Sequence, residues 1–151
     1  MKSRAATILT VAIGILLVTA CAKNHIKSIH AVVTDNELNY AMKLDVVFVY
    51  DEKTLSLIHE FTNLTWFEQK VPAMLTFGES IDVHSLELVS LSPVRLTSLP
   101  DNVSDVIAVV AFANYPNISQ EPVTTGTYDN VWLLVTPAGL EVSNNFPQLI
   151  D

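Results

Sequence analysis

Along most of this chain hydrophobic positions recur every second residue or in short unbroken runs, the pattern of strands rather than helices. Ser28–Val33 (SIHAVV) is the first strand candidate. Leu44–Tyr50 (LDVVFVY) is rich in β-branched and aromatic residues. It sets Leu44, Val46, Phe48 and Tyr50 on one face and Asp45, Val47 and Val49 on the other. Both faces are largely apolar, which predicts an interior strand. Ile81–Leu91 alternates imperfectly, and Val106–Ala113 (VIAVVAFA) reads as a central buried strand. Val131–Thr136 and Leu140–Ser143 flank Pro137-Ala138-Gly139, predicting a hairpin. One region breaks the pattern. Leu57, Phe61 and Leu64 recur at i, i+4 and i+7, predicting a short amphipathic helical insertion over about 52–70. Thr65-Trp66-Phe67-Glu68 fits a capping box, and Pro72 is expected to limit further helix. Trp66 and Phe67 read as core packing. About six short strands separated by turn signals predict an all-β, immunoglobulin-like sandwich over 28–143 with a helical insertion, followed by a loose tail at 144–151.

The first twenty residues follow another logic. Lys2 and Arg4 precede sixteen uncharged residues, Ala5 to Ala20, and then Cys21. A basic start, an apolar stretch and small residues before a cut describe a signal peptide. Sixteen helical residues span about 24 Å, short of the ~30 Å hydrocarbon core, so a membrane-spanning anchor is the weaker expectation. Val18-Thr19-Ala20-Cys21 resembles the bacterial lipobox. That resemblance implies a mature N-terminus at Cys21 with a covalent diacylglyceryl thioether and an N-acyl (palmitate) chain. Several chains give a stable anchor where one gives only marginal binding. Ala22 rather than Asp after the cysteine points, by the same resemblance, to the outer membrane. Residues 21–27 would then be a lipidated tether.

Composition sharpens this. The 151 residues are 50% hydrophobic and 16% charged, which excludes a disordered chain and allows one domain. The formal charge is −8; without residues 1–20, which hold Lys2 and Arg4, 131 residues carry −10. Such a domain is a poor partner for nucleic acid and for anionic lipid head groups. The lone cysteine rules out an internal disulfide and a Cys-rich zinc site. His25, His30, His59 and His84 show no metal-ligand spacing, and there is no nucleophile-elbow or glycine-rich phosphate motif. No catalytic residue, metal, cofactor or small-molecule substrate is expected. Three Asn-X-Ser/Thr sequons, at Asn63, Asn102 and Asn117, are coincidences in a bacterial lipoprotein.

The lipobox, the polar loop Thr34–Lys43 between two strands, the aromatic helical insertion and the stretch Ile107–Tyr115 (IAVVAFANY) together resemble the outer-membrane lipoproteins of type VI secretion systems, the TssJ family. The loop reads Asp35-Asn36-Glu37-Leu38-Asn39-Tyr40 where the family has Asn-Pro-Asp and Gly-Arg-Pro, as a divergent member would. The resemblance implies a transthyretin-like sandwich without enzymatic activity, whose first hairpin holds that loop. Asp35, Asn36, Glu37, Leu38, Asn39 and Tyr40 would contact the periplasmic domain of an inner-membrane secretion component, TssM-like. On its residues alone the loop reads as a solvated connector, although Leu38 and Tyr40 among polar neighbours suit an interface centre. A pilotin-like or other envelope-assembly lipoprotein of a different secretion apparatus is the alternative. An enzyme or ligand carrier would need a pocket with convergent polar groups.

Overall fold

The computed structural model describes residues 25–35, 41–116 and 118–147. Eight strands form two four-stranded sheets. They are β1 (Ser28–Val33), β2 (Met42–Val49), β3 (Ile81–Leu88), β4 (Val94–Arg95), β5 (Ala108–Ala113), β6 (Val123–Thr124), β7 (Asn130–Thr136) and β8 (Gly139–Ser143). The first sheet has the order β4-β1-β7-β8 and the second β3-β2-β5-β6. Two helices, α1 (Glu52–Ile58) and α2 (Asn63–Phe77), lie between β2 and β3 in the chain. The expected β-sandwich with a helical insertion is the observed architecture. The predicted hairpin around Pro137-Ala138-Gly139 is the antiparallel pair β7 and β8. β5 is buried at every position and β2 at every position but Lys43, both inside their sheet, as their unbroken apolar runs require. The pairs β4 and β6, two residues each, are too short to leave a periodic signal.

Four expectations need correction. β1 and β2 are not a hairpin. β1 pairs in parallel with β7 and antiparallel with β4, whereas β2 pairs with β3 and β5. The two strands meet face to face: Ile29, Ala31 and Val33 share one buried cluster with Leu44, Val46 and Phe48. Contact is through side chains across the sandwich, not through backbone along an edge. The insertion is two helices rather than one, because the Leu57-Phe61-Leu64 repeat straddles the break at 59–62. α2 starts at Thr62, whose hydroxyl accepts from the Thr65 backbone N–H while the Thr65 hydroxyl takes the Thr62 N–H, so the capping box lies three residues before the expected one. Finally, Pro72 sits inside α2, which runs on to Phe77. The bond it removes would have ended on the carbonyl of Glu68; both residues are on the exposed side, where water can serve that carbonyl.

A second cluster lies on the outer face of the β3-β2-β5-β6 sheet, where Val47, Val49, Val110 and Phe112 are covered by Ile58, Trp66 and Ala73. Trp66 is fully buried and stacks on Phe112 with ring centroids 4.6 Å apart, the packing role its sequence context predicts.

Candidate functional site

Cys21 and the loop residues Asn36, Glu37, Leu38, Asn39 and Tyr40 lie outside the described residues. Their flanks are described, and β1 separates them. Upstream of β1, Ile26 is buried in the sandwich core, the Lys27 backbone N–H donates to the Asp129 carbonyl, and the Lys27 ammonium pairs with the Asp129 carboxylate at 2.6 Å. That cation holds the Asp129 carboxyl below its usual range. Downstream of β1, Thr34 donates its N–H to the Val135 carbonyl at 3.0 Å and Asp35 is half-buried. The loop then enters the other sheet at Met42, opposite Leu88. The chain approaching from Cys21 and the loop therefore attach at opposite ends of the sandwich, six strand residues or about 20 Å apart.

The loop end is well fixed. The Leu91 N–H donates to the Val33 carbonyl, the Asn114 N–H to the Lys43 carbonyl, and the Tyr115 hydroxyl to the Thr136 carbonyl at 2.9 Å. Leu91 has φ 57°, a left-handed conformation that a non-glycine residue adopts only when its surroundings impose it. Val89 and Ile118, on the connections that follow β3 and β5, are 55% and 46% exposed. The sequence pattern places Val89 inside the strand candidate Ile81–Leu91, whereas β3 ends at Leu88, and Ile118 carries no periodic signal because it stands alone in a connection. Rigid stems with exposed apolar residues on neighbouring connections can present a contact surface; nothing in that arrangement activates a nucleophile or a water.

The densest polar group is elsewhere. Asp45, 1% exposed, accepts from the Trp66 indole N–H at 2.9 Å and the Ser85 hydroxyl at 2.6 Å, and pairs with Lys70 at 2.9 Å. Lys70 also donates to Ser85 at 2.6 Å. Asp45, Lys70 and Ser85 border a groove of about 290 Å³ with Lys43, Phe67, Leu86 and Glu87. A serine beside a lysine invites a hydrolytic reading, but the ammonium is committed to the carboxylate and the hydroxyl donates to the same carboxylate. The acceptor of the serine hydroxyl is a carboxylate, a weak base already shared with Trp66 and Lys70, and not the free amine that a serine–lysine pair needs. The group joins α2 to the sheet. Its signal in the sequence is Asp45, the one charge in the otherwise apolar run Leu44–Tyr50.

Asn63 is likewise structural. It is 2% exposed, its amide donates to the Ile118 carbonyl at 2.9 Å and its Oδ1 accepts from the Gln120 N–H at 2.6 Å. A glycan has no access there. Among the described residues no group of three or more His, Cys, Asp or Glu side chains is placed to hold a metal, and no helix is long and apolar enough to cross a membrane.

Neither a protein-family model nor a curated protein matches this chain. Among solved structures it is similar to Lip of Serratia marcescens, a membrane-bound component of the type VI secretion system. The match has a TM-score of 0.52 at 12% identity and covers 79% of this chain and 95% of that one. At that identity the likeness is one of fold: this chain shares the β-sandwich of Lip.

Proposed function

We propose that this protein is an outer-membrane lipoprotein, attached through acyl chains on Cys21, that anchors the membrane complex of a type VI secretion system by periplasmic protein–protein contacts. It is not an enzyme. Its partner is an inner-membrane component with a periplasmic domain, TssM-like, bound through the loop Asp35 to Tyr40. The observation that carries the reading is that Ile26 and Lys27, on the side of Cys21, join β1 at one end, and Thr34 and Asp35, on the side of the loop, leave it at the other. A lipid held at one end leaves the other end, with Val89 and Ile118, turned away from the bilayer. The shared fold with Lip, the Val18-Thr19-Ala20-Cys21 sequence and the charge of the domain support it in turn.

The test replaces Cys21 by Ser in the producing cell. Palmitate labelling should disappear, the protein should move from the outer membrane to the soluble periplasmic fraction, and secretion should stop. Secretion at the normal level from that variant sinks the proposal. Co-purification of the native protein with a secretin, and not with an inner-membrane partner, would assign it instead to pilotin-like lipoproteins.

A further inference from the structure

α2 is apolar on both sides. At 100° per residue, Trp66, Lys70, Ala73 and Phe77 point toward the sheet, and Leu64, Glu68, Val71 and Leu75 lie on the opposite side. Val71 is 68% exposed and Leu75 81%, with Pro72 exposed beside them and Met74 at 40%. A solvent-facing helix side normally carries charge, and a helix that is hydrophobic all round is normally covered on all sides. Here one covering layer is absent among the described residues. The charges around the stripe are more acidic than basic, with Lys53 beside Thr76 and Phe77 on one flank and Lys43 and Glu87 beside Phe67 on the other. Glu68 lies within it, Glu79 follows the helix, and Glu60 precedes it. The helix's own cation, Lys70, is taken by Asp45.

We infer that the outward face of α2 is a second docking surface, for a protein segment that presents apolar side chains rimmed by Lys or Arg. Three other occupants fit less well. The chain's own ends leave from the wrong layer: Ile26 packs between the sheets, and Phe146 packs on Trp132 of the first sheet. A second copy would set Glu68 and Glu79 against the same acids across a two-fold axis. A bilayer is disfavoured by reach, if Cys21 carries lipid as proposed above. Five residues from Cys21 to Ile26 span at most about 17 Å. The outer side of α2 stands beyond two sheets about 10 Å apart and a helix about 10 Å thick. Acidic side chains at the rim also oppose lipid phosphates. A basic rim on a protein partner satisfies both the apolar stripe and its charge, and because the face looks sideways it stays accessible when one end of the sandwich is held at a membrane and the other by a partner.

The experiment uses the full chain exported with Cys21→Ser. The probe is a fluorescein-labelled amphipathic helical peptide with leucines on one face and lysines at its rim; its counterpart keeps the leucines and carries glutamates. The lysine-rimmed peptide should bind and the glutamate one should not. Leu75→Ser should weaken binding by about tenfold, the effect of losing one buried leucine. Glu68→Gln should weaken it less and flatten its salt dependence. Both substitutions are at exposed positions, so an unchanged unfolding midpoint separates lost docking from lost fold. Absence of binding, or binding that Leu75→Ser leaves intact, overturns the proposal. So does vesicle binding by phosphatidylethanolamine, or dimerisation in sedimentation, that Leu75→Ser abolishes: the first gives the face to a membrane, the second to another copy. The anchoring function proposed above is untouched by either result, since it is tested by Cys21→Ser in cells.

Discussion

On the outer face of the β3-β2-β5-β6 sheet, Asp45, Val47, Val49, Val110 and Phe112 lie beneath two helices and are all buried. On the outer face of the other sheet, His30 stacks on Trp132 at 4.5 Å and Phe146 meets Trp132 edge-on at 4.9 Å, partly in water and with no helix over them among the described residues. The difference begins in the strands. β7 alternates, with Val131, Leu133 and Val135 buried and Trp132, Leu134 and Thr136 only half-buried, so one layer of cover is enough. β2 and β5 are apolar on both sides, and a second layer is the only way to keep their outer residues from water. The helical insertion supplies that layer. Asp45 fixes where it sits, because a buried carboxylate must be met by donors, and only Trp66, Lys70 and Ser85 in register provide them. One outer face is thus specified by a polar group inside an apolar contact, and the other by aromatic stacking at the surface.

Substitutions can break this contrast. The largest effect is expected from Trp66→Ala, which removes the stack on Phe112, leaves a cavity and takes one donor from Asp45. A loss of about 4 kcal/mol is expected in urea unfolding. A loss under about 1 kcal/mol, the scale of one exposed aromatic pair, would mean that the two faces do not differ in kind. Lys70→Ala should follow, with about 2 kcal/mol lost as a buried carboxylate gives up a charged hydrogen bond. Pro72→Ala should act in the other direction. It restores a donor to the Glu68 carbonyl in a helix already anchored at both ends, and a gain of about 1 kcal/mol in thermal unfolding is expected. A destabilised Pro72→Ala variant would show that the proline shapes the helix for its cover.

The smallest effect belongs to the other sheet. Burial, and then the Arg95 cation, hold the His30 imidazole below its ordinary value of 6.5. The unfolded chain therefore binds that proton first as pH falls. The contribution of His30 is complete above about pH 6.5 and declines as the pH drops through that value toward the folded one. Melting temperatures across about pH 7.5 to about pH 5 should fall, and less steeply for His30→Gln. An identical slope in the two proteins would remove His30 as the cause. The Asp51 and Asp129 carboxyls, held low by the Thr54 backbone N–H and by Lys27, act only at more acid pH and leave this window clear.

How much of this could be read in advance differs from element to element. β1 appears with its predicted limits because its apolar run is bounded by polar residues on both sides. The break at 59–62 did not show, because Phe61 keeps the helical spacing across it although the backbone does not. Pro72 misled for a related reason: the cost of a proline in a helix depends on whether the orphaned carbonyl reaches water, and exposure is a tertiary property. Of the candidate site, the sequence supplied the residues Cys21 and Asp35 to Tyr40 but not their relation. β1 separates the described residues that lead toward each, Ile26 and Lys27 at one end and Thr34 and Asp35 at the other.

Composition and periodicity alone determined that this chain builds a β-sandwich with a helical interruption, since apolar residues that alternate or run unbroken must be buried in strands. Which strands share a sheet, where α2 lies and which of its sides remains open were decided only in three dimensions. Strand pairing joins backbones that are distant in sequence, and Asp45 finds Trp66, Lys70 and Ser85 only once β2, β3 and α2 are together. The exposure of Val71 and Leu75 has the same origin: a hydrophobic residue in a sequence predicts burial, and only the assembled fold shows that nothing among the described residues covers these two.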